Sequence, residues 1–199
     1  MVTTASPVVG VLALQGDFRE HLAVLAELGA KGVPVRRPSE LEQVDGLIIP
    51  GGESTVMDKL SRAFGLADPL KQRIADGLPV YGTCAGLIFL ADTVLDAIDG
   101  QQTLGGLDVA VRRNAFGNQL ESFETDLEVA GFEGPPVHAA FIRAPVVETV
   151  GERATPIAAL DDGRVVAVKQ GNLLGTSFHP EITGELRFHR AFLDTVAAA

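Results

Sequence analysis

Apolar and polar positions follow two different patterns along the first half of the chain. Short runs of almost uninterrupted apolar residues are typical of strands buried on both faces of a parallel sheet. Between these runs, apolar residues recur every three or four positions, which is typical of amphipathic helices. This alternation predicts an open, mostly parallel sheet with helices on both faces. The predicted strands are VVGVLALQ (8–15), VPVRRP (33–38), GLIIP (46–50) and LPVYG (78–82).

The helical periodicity is clearest between the first two predicted strands. Four apolar residues there fall on one helical stripe, and the glycine that follows them suits a C-terminal cap. They are Phe18, Leu22, Leu25 and Leu28, followed by Gly29. The other predicted helices are ESTVMDKLSRAFG (53–65), ADPLKQRIADG (67–77), AGLIFLADTVL (85–95) and a closing helix TGELRFHRAFLDTV (183–196), with Phe188, Phe192 and Val196 on its apolar side.

The second half of the chain has a different character. Its apolar residues alternate more strictly with polar ones, which predicts antiparallel strands added to the parallel sheet. No repeat, low-complexity tract or linker interrupts the pattern, so we expect one domain over residues 1–199, with a short N-terminal leader at 1–7. The predicted strands lie in GGLDVAVRRN (105–114), SFETDLEV (122–129), VHAAFIRAPVV (137–147), PIAALDDGRVVAVKQ (156–170) and NLLGTSFHP (172–180).

Composition narrows the classes of function. The 199 residues include 16 basic and 26 acidic side chains, a formal net charge of -10. That balance argues against non-specific binding to nucleic acid or to an anionic membrane, although the short basic stretches VRRP and VRRNAFG leave a local patch open. A single cysteine excludes an intrachain disulfide. No apolar stretch is long enough to span a bilayer, and we expect a cytoplasmic protein.

The one cysteine lies in an unusual setting. GTCAG (82–86) falls between a predicted strand and a predicted helix, which is the pattern of a nucleophile elbow with cysteine in place of serine. The glycines suit a tight turn, and the backbone N–H of Ala85 would point to a developing oxyanion. The alternative interpretation is that Cys84 is a small buried hydrophobic residue at a strand end.

A cysteine nucleophile needs a base and a group that orients the base. His179 follows the apolar run LLGTSF and precedes Pro180 and Glu181. In an extended segment, residues two apart point to the same side, so we expect Glu181 to approach the ring of His179. The remaining histidines fall inside predicted helices or at the start of a strand, and they are His21, His138 and His189.

IIPGGEST (48–55) offers a second element of a site. It places Gly51 and Gly52 just beyond the end of a predicted central strand, where open α/β sheets bind ligands. Glycines there allow close approach of a ligand to the backbone. The alternative is a plain strand-to-helix turn in which Glu53 and Ser54 cap the helix.

Taken together, these stretches resemble the class I, or triad-type, glutamine amidotransferases. Within that class, the sequence is similar to the glutaminase subunits of pyridoxal 5′-phosphate synthases. GTCAG and SFHPE are shared by the wider class, whereas LQG…REH, PGGEST, RNAFG and FIRAP are typical of this subunit. The similarity covers almost the whole chain. It implies a single-domain, three-layer, flavodoxin-like α/β fold.

The resemblance implies hydrolysis of L-glutamine to L-glutamate and ammonia through a γ-glutamyl thioester. Cys84 would be the nucleophile, His179 the general acid and base, and Glu181 the residue that orients His179. Arginine and carboxylate groups suit the charged end of glutamine. The implied glutamine-contacting positions are Gly52, Glu53, Ser54, Arg113, Ile142 and Arg143, and the implied oxyanion positions are Gly52 and Ala85. Asn118 stands where the family commonly has arginine, so the contact made by that arginine is not expected here.

The resemblance also implies a partner. In this family the glutaminase is nearly inactive alone and docks on a (β/α)8-barrel synthase, a dodecamer that carries up to twelve glutaminases. Pyridoxal phosphate is the product of that complex, so we expect no cofactor bound to this chain. The scattered histidines and the single cysteine predict no metal site.

Two other functions stay open at this point. A free-standing cysteine hydrolase of the same fold, such as a γ-glutamyl hydrolase or a small peptidase, would turn over fully without a partner. A catalytically silent regulatory module would usually lack one of the three residues Cys84, His179 and Glu181, all of which are present.

Overall fold

The computed structural model describes residues 6–113 and 122–199, so most of the predicted leader and Asn118 lie outside the described residues. The strands are β1 (Val8–Leu12), β2 (Lys31–Val35), β3 (Gly46–Ile49), β4 (Val80–Thr83), β5 (Ala91–Val94), β6 (Leu107–Arg112), β7 (Ser122–Leu127), β8 (Val137–Ile142), β9 (Val146–Val150), β10 (Thr155–Ala159), β11 (Val165–Gln170) and β12 (Leu173–Thr176). The helices are α1 (Phe18–Glu27), α2 (Pro38–Leu41), α3 (Ser54–Ala63), α4 (Ala67–Ala75), α5 (Ala85–Leu90), α6 (Pro180–Thr183) and α7 (Arg187–Ala198).

The main sheet has a parallel part and an antiparallel extension. Strands in the order β2-β1-β3-β4-β12 run parallel to their neighbours. Beyond β12 the sheet continues through β11, β9 and β6 in antiparallel pairs, and β5 then pairs parallel with β6. β10 pairs with β11, and β7 and β8 form a separate antiparallel pair. The predicted α/β fold, a mostly parallel sheet with added antiparallel strands, is confirmed.

Side chains of the central strands alternate between two hydrophobic layers. On β1, Val11 contributes to one layer and Leu12 to the other, as the period of two in a strand requires. Leu25 of α1 and Phe192 of α7 pack in the first layer, and Leu70 of α4 packs in the second. Helices therefore cover both faces, and each fully buried side chain of this size stabilises the fold by about 1.5–3 kcal/mol.

One predicted helix is wrong in its second half. The helix that follows Cys84 ends at Leu90, and the chain turns directly into β5 at Ala91. Thr93 and Val94, whose β-branched side chains favour strands, pair with β6. Sheet pairing at this edge therefore outweighs the helical pattern that the apolar residues suggest.

The short helices α2 and α6 were not predicted. Each is a single turn that begins with proline, at Pro38 and at Pro180, the position where the fixed φ of proline suits a helix start. Within the described ranges, no helix has both the length and the apolar character to cross a bilayer.

Candidate active site

Two neighbouring parallel strands end together at one edge of the main sheet. Thr83, the last residue of β4, is in register with Thr176, the last residue of β12. The backbone N–H of Cys84 donates to the carbonyl oxygen of Thr176 over 2.8 Å. Cys84 and the segment that leads to His179 therefore leave the sheet at the same place, which is the ligand-binding edge of open α/β folds.

Cys84 lies on a strained turn. Its φ is +47° and its ψ is -102°, a conformation that non-glycine residues rarely adopt, and α5 begins at the next residue, Ala85. The flanking glycines are required by close packing. A Cβ on Gly82 would lie 2.6 Å from the backbone of Gly86, and a Cβ on Gly86 would lie 2.0 Å from the carbonyl oxygen of Ile49. The turn has the backbone features expected of a nucleophile elbow.

Strand β8 borders the thiol on another side. The Sγ atom of Cys84 lies 3.9 Å from the carbonyl oxygen of Ile142, the last residue of β8. Arg143, the next residue, has a φ of +47°, so the backbone is strained on both sides of this contact. The backbone N–H of His179 donates to Ala140, also on β8, over 3.1 Å. β8 thus contacts both Cys84 and the segment that carries His179.

His179 and Glu181 are joined by a short contact. Nδ1 of His179 and Oε1 of Glu181 are 2.7 Å apart, and both side chains are buried. The expected approach is therefore present, but its predicted geometry is wrong. His179 is the N-cap of the helical turn α6, and Glu181 lies inside that turn rather than in an extended segment.

The surroundings of His179 favour its charged form. Burial by itself lowers the pKa of a histidine, but the contacts with Cys84 and Glu181 and their negative charges outweigh it, and the pKa of His179 rises from 6.5 to about 10. Since Nδ1 contacts Glu181, Nε2 is the nitrogen left to exchange a proton with Cys84 or a substrate.

Asp17 brings a second carboxylate near the same ring. Its Oδ2 lies 3.8 Å from Nδ1 of His179, and Asp17, His179 and Glu181 each hold one potential metal-ligand atom within 4.8 Å of the others. The 2.7 Å between Nδ1 and Glu181 is the length of a charge-assisted hydrogen bond. The contacts of both carboxylates with the ring of His179 account for this cluster without a cation, and we infer no metal site from it.

The Gly51–Gly52 loop lies against the ring of His179. A Cβ on Gly51 would be 2.4 Å from Cε1 of His179, so only glycine fits there. Gly52 has a φ of +146°. The predicted helix cap is also present, because Glu53 is the N-cap of α3 and accepts from the backbone N–H of Thr55 over 3.2 Å. Ser54 is the first residue of α3.

Ser54 and Arg113, which lie far apart in sequence, are bridged by one side chain. Nε2 of Gln101 lies 3.2 Å from Oγ of Ser54, and Oε1 of Gln101 accepts from Nη1 of Arg113 over 2.7 Å. Arg113 is also fixed through its backbone N–H, which donates to Asp96 over 2.8 Å. Two of the predicted glutamine-contacting side chains therefore belong to one hydrogen-bonded group. Asn118 lies outside the described residues.

Several residues around this site were missed by sequence reasoning. The carboxamide of Gln15 accepts from the backbone N–H of Glu53 over 2.8 Å, and Gln101 forms the bridge described above. His21 and His189 are fully buried and contact each other, and His21 lies 3.7 Å from Glu181. The only signal for the two histidines is that each interrupts the apolar side of an otherwise amphipathic helix.

Comparison with known proteins agrees with the geometry. The model of the SNO glutamine amidotransferase family matches residues 11–198. The chain is 70% identical over 188 residues to the pyridoxal 5′-phosphate synthase subunit PdxT of Leifsonia xyli subsp. xyli, which covers 94% of this chain and 95% of that protein. It is 67% identical over 193 residues to the protein of the same name from Clavibacter sepedonicus, covering 97% and 92%.

Solved structures give the same picture. A crystal structure of a glutamine amidotransferase aligns with a TM-score of 0.89 and 48% identity, over 95% of this chain and 98% of that one. A structure described as a GMP synthase component from Thermoplasma acidophilum aligns with a TM-score of 0.72 at 20% identity, over 98% and 96% of the two chains. The second likeness is one of fold alone.

Proposed function

This chain belongs to the SNO glutamine amidotransferase family, and from that premise we propose that it is the glutaminase subunit of a pyridoxal 5′-phosphate synthase. It hydrolyses L-glutamine to L-glutamate and ammonia and delivers the ammonia to a synthase partner. The observation that carries the proposal is the meeting of Cys84 on its strained turn with the His179–Glu181 pair at one sheet edge. We expect the chain to act as one domain in the cytoplasm.

The first half of the proposed reaction releases ammonia. The thiolate of Cys84 attacks the carbonyl carbon of the glutamine side-chain amide, and the carbonyl oxygen becomes an oxyanion that accepts from backbone N–H groups of Gly52 and Ala85. Protonated His179 gives its Nε2 proton to the amide nitrogen. The C–N bond then breaks, ammonia leaves, and a γ-glutamyl thioester remains on the sulfur.

The second half regenerates the enzyme. His179, now neutral, takes a proton from water as the oxygen of that water attacks the thioester carbon. The tetrahedral species collapses, the C–S bond breaks, and glutamate leaves while the thiolate of Cys84 and protonated His179 are restored. Glu181 holds Nδ1 of His179 throughout, and the raised pKa of His179, about 10, favours this charged resting state.

The remote end of glutamine carries a carboxylate and an ammonium group. We assign its recognition to Arg113, Arg143 and Glu53, together with Ser54 and the backbone around Ile142 and Gly52. The bridge from Ser54 through Gln101 to Arg113 supports this assignment, because it holds the arginine in one orientation before substrate arrives. Fixing that end holds the amide carbon next to the thiol of Cys84. Holding the two reacting groups in this orientation is what increases the reaction rate most.

The partner is proposed as a (β/α)8-barrel synthase, arranged as a dodecamer with up to twelve glutaminase subunits. A free-standing hydrolase of the same fold is the competing function. The two differ in one measurement: the glutaminase subunit should release ammonia much faster with the synthase than without it, whereas a free-standing hydrolase should be equally fast in both conditions.

The triad is tested by Cys84→Ala in the presence of the synthase. We expect glutamate formation to be lost, with synthase binding retained. A glutamine-like electrophile should label wild-type protein at Cys84, the single cysteine, and mass spectrometry reads this directly. Ammonia release that survives Cys84→Ala would contradict the mechanism.

The assignment of Arg113 has a matched control in its neighbour. Arg113→Ala should raise KM for glutamine, because the guanidinium that meets the substrate carboxylate is lost. Arg112→Ala removes an exposed guanidinium that pairs with Glu148 over 2.8 Å, and it should leave KM unchanged. Equal effects of the two substitutions would refute a specific role for Arg113.

A further inference from the structure

A buried polar group of three side chains lies next to Glu181. Nδ1 of His21, on α1, is 2.8 Å from Nε2 of His189, on α7. Nε2 of His21 is 3.2 Å from Oγ1 of Thr83 and 3.7 Å from Oε1 of Glu181. All of these side chains are buried, and the mechanism proposed above uses neither histidine.

Both histidines are neutral at neutral pH. Burial lowers the pKa of His21 well below 6.5, and the pKa falls further because a charged His21 would be repelled by His189 and His179 whenever these carry a proton. Burial lowers the pKa of His189 to about 4. A neutral imidazole carries one hydrogen, on either Nδ1 or Nε2, so the chemistry of this group depends on which tautomer each ring adopts.

Two observations select the tautomer of His21. A lone pair on its Nε2 would face the Glu181 carboxylate at 3.7 Å, whereas an N–H there is attracted to it. Nδ1 of His189 is buried and contacts no partner among the described residues. An orphaned N–H costs more than an orphaned lone pair, so the hydrogen of His189 belongs on Nε2, from which it donates to Nδ1 of His21. His21 then carries its hydrogen on Nε2.

We propose that His21 is a positioning residue for the catalytic histidine: His189 holds it as the Nε2–H tautomer, and that N–H keeps the Glu181 carboxylate in place against Nδ1 of His179. The inference rests on the proposed triad. At 3.7 Å the N–H of His21 is too far from Oε1 for a hydrogen bond, so it acts through the attraction of its dipole for the carboxylate, while Thr83 accepts its hydrogen bond. His189 acts only through His21.

The tautomers can be measured directly on the wild-type chain. Selective ¹⁵N labelling of histidine, with assignment by His21→Gln and His189→Gln, reports which nitrogen of each ring is protonated at neutral pH. We expect protonated Nε2 and unprotonated Nδ1 on both His21 and His189. A hydrogen on Nδ1 of His21 would overturn the inference, whatever the activity of the variants.

Kinetics in the complex with the synthase test the consequence. His21→Leu removes the N–H that faces Glu181, and we expect kcat to fall by roughly 10- to 100-fold with KM unchanged, the range typical for residues that orient a functional histidine. His21→Gln can place an amide N–H near the position of Nε2, and it should recover most of the loss. His189→Leu should lower kcat and His189→Gln should restore it, because the glutamine amide can still donate to Nδ1 of His21.

The pattern across the variants separates positioning from packing. Equal kcat in His21→Leu and His21→Gln, whether both high or both low, would overturn the inference. His138→Leu, which removes an exposed histidine on β8, is the control and should leave kcat unchanged. Failure of the proposed triad would appear elsewhere, as activity that survives Cys84→Ala, while the ¹⁵N result would stand by itself.

Discussion

Replacement of His189 by glutamine should make the stability of this protein less sensitive to acid. His189 is fully buried, and burial holds its pKa at about 4, below the 6.5 of an exposed histidine. The unfolded chain therefore binds a proton at His189 more readily than the folded chain. Stability is unaffected well above pH 6.5 and falls as the pH drops from there towards 4.

The size of the effect follows from the two pKa values. The full difference between 6.5 and about 4 corresponds to about 3 kcal/mol of unfolding free energy, reached only below about pH 4. Between about pH 7 and pH 5 the loss is about 2 kcal/mol. His21 is also buried with a lowered pKa, so the glutamine variant should lose part of the acid sensitivity and not all of it.

Urea unfolding, followed by far-UV circular dichroism at about pH 7 and pH 5, measures this difference. Wild-type protein should lose about 2 kcal/mol more than His189→Gln between the two conditions. His138→Gln is the control with the opposite sign. His138 is exposed, and its contacts with Asp126 and Glu124 raise its pKa, so its removal should make acid slightly more destabilising. Identical pH dependence in wild type and His189→Gln would refute the reasoning.

Three further predictions each concern a single residue. Gly51→Ala should abolish most glutaminase activity with the fold intact by circular dichroism, because its Cβ would lie 2.4 Å from Cε1 of His179. Asp58→Asn should lower the unfolding free energy by about 2 kcal/mol in urea, since the buried carboxylate accepts two bonds from Arg62, at 2.8 and 2.9 Å. Tyr81, the single tyrosine, should show no phenolate absorbance in folded protein at about pH 11, because burial holds its pKa well above 10.

The central sheet could be predicted from the sequence because its strands are buried on both faces. The run GLII that forms β3 is apolar at every position. A strand buried on both faces is one of the few environments that suit such a run. The strand β5 could not be predicted, because its residues continue a helical pattern and only pairing with β6 makes Thr93 and Val94 a strand. Pairing partners are distant in sequence, so local periodicity carries no information about them.

The candidate site divides in the same way. Cys84 between its glycines and the pair His179–Glu181 could be predicted, because each is a short local pattern with a chemical meaning. The bridge through Gln101 could not, because it depends on a loop that brings a neutral side chain between Ser54 and Arg113. The contact between His21 on α1 and His189 on α7 is likewise a property of the fold. Neither helix by itself indicates that its histidine meets the other one.

The neutrality of His21 and His189 has a consequence for the charge on Glu181. A positively charged residue beside that carboxylate would compete with His179 for it. His179 would then lose part of the interaction that raises its pKa to about 10. A purely apolar neighbour would leave the buried carboxylate with one fewer favourable contact. A neutral N–H avoids both problems, because it stabilises the anion without neutralising it. The same burial thus lowers the pKa of His21 and His189 and leaves the negative charge of Glu181 available to His179.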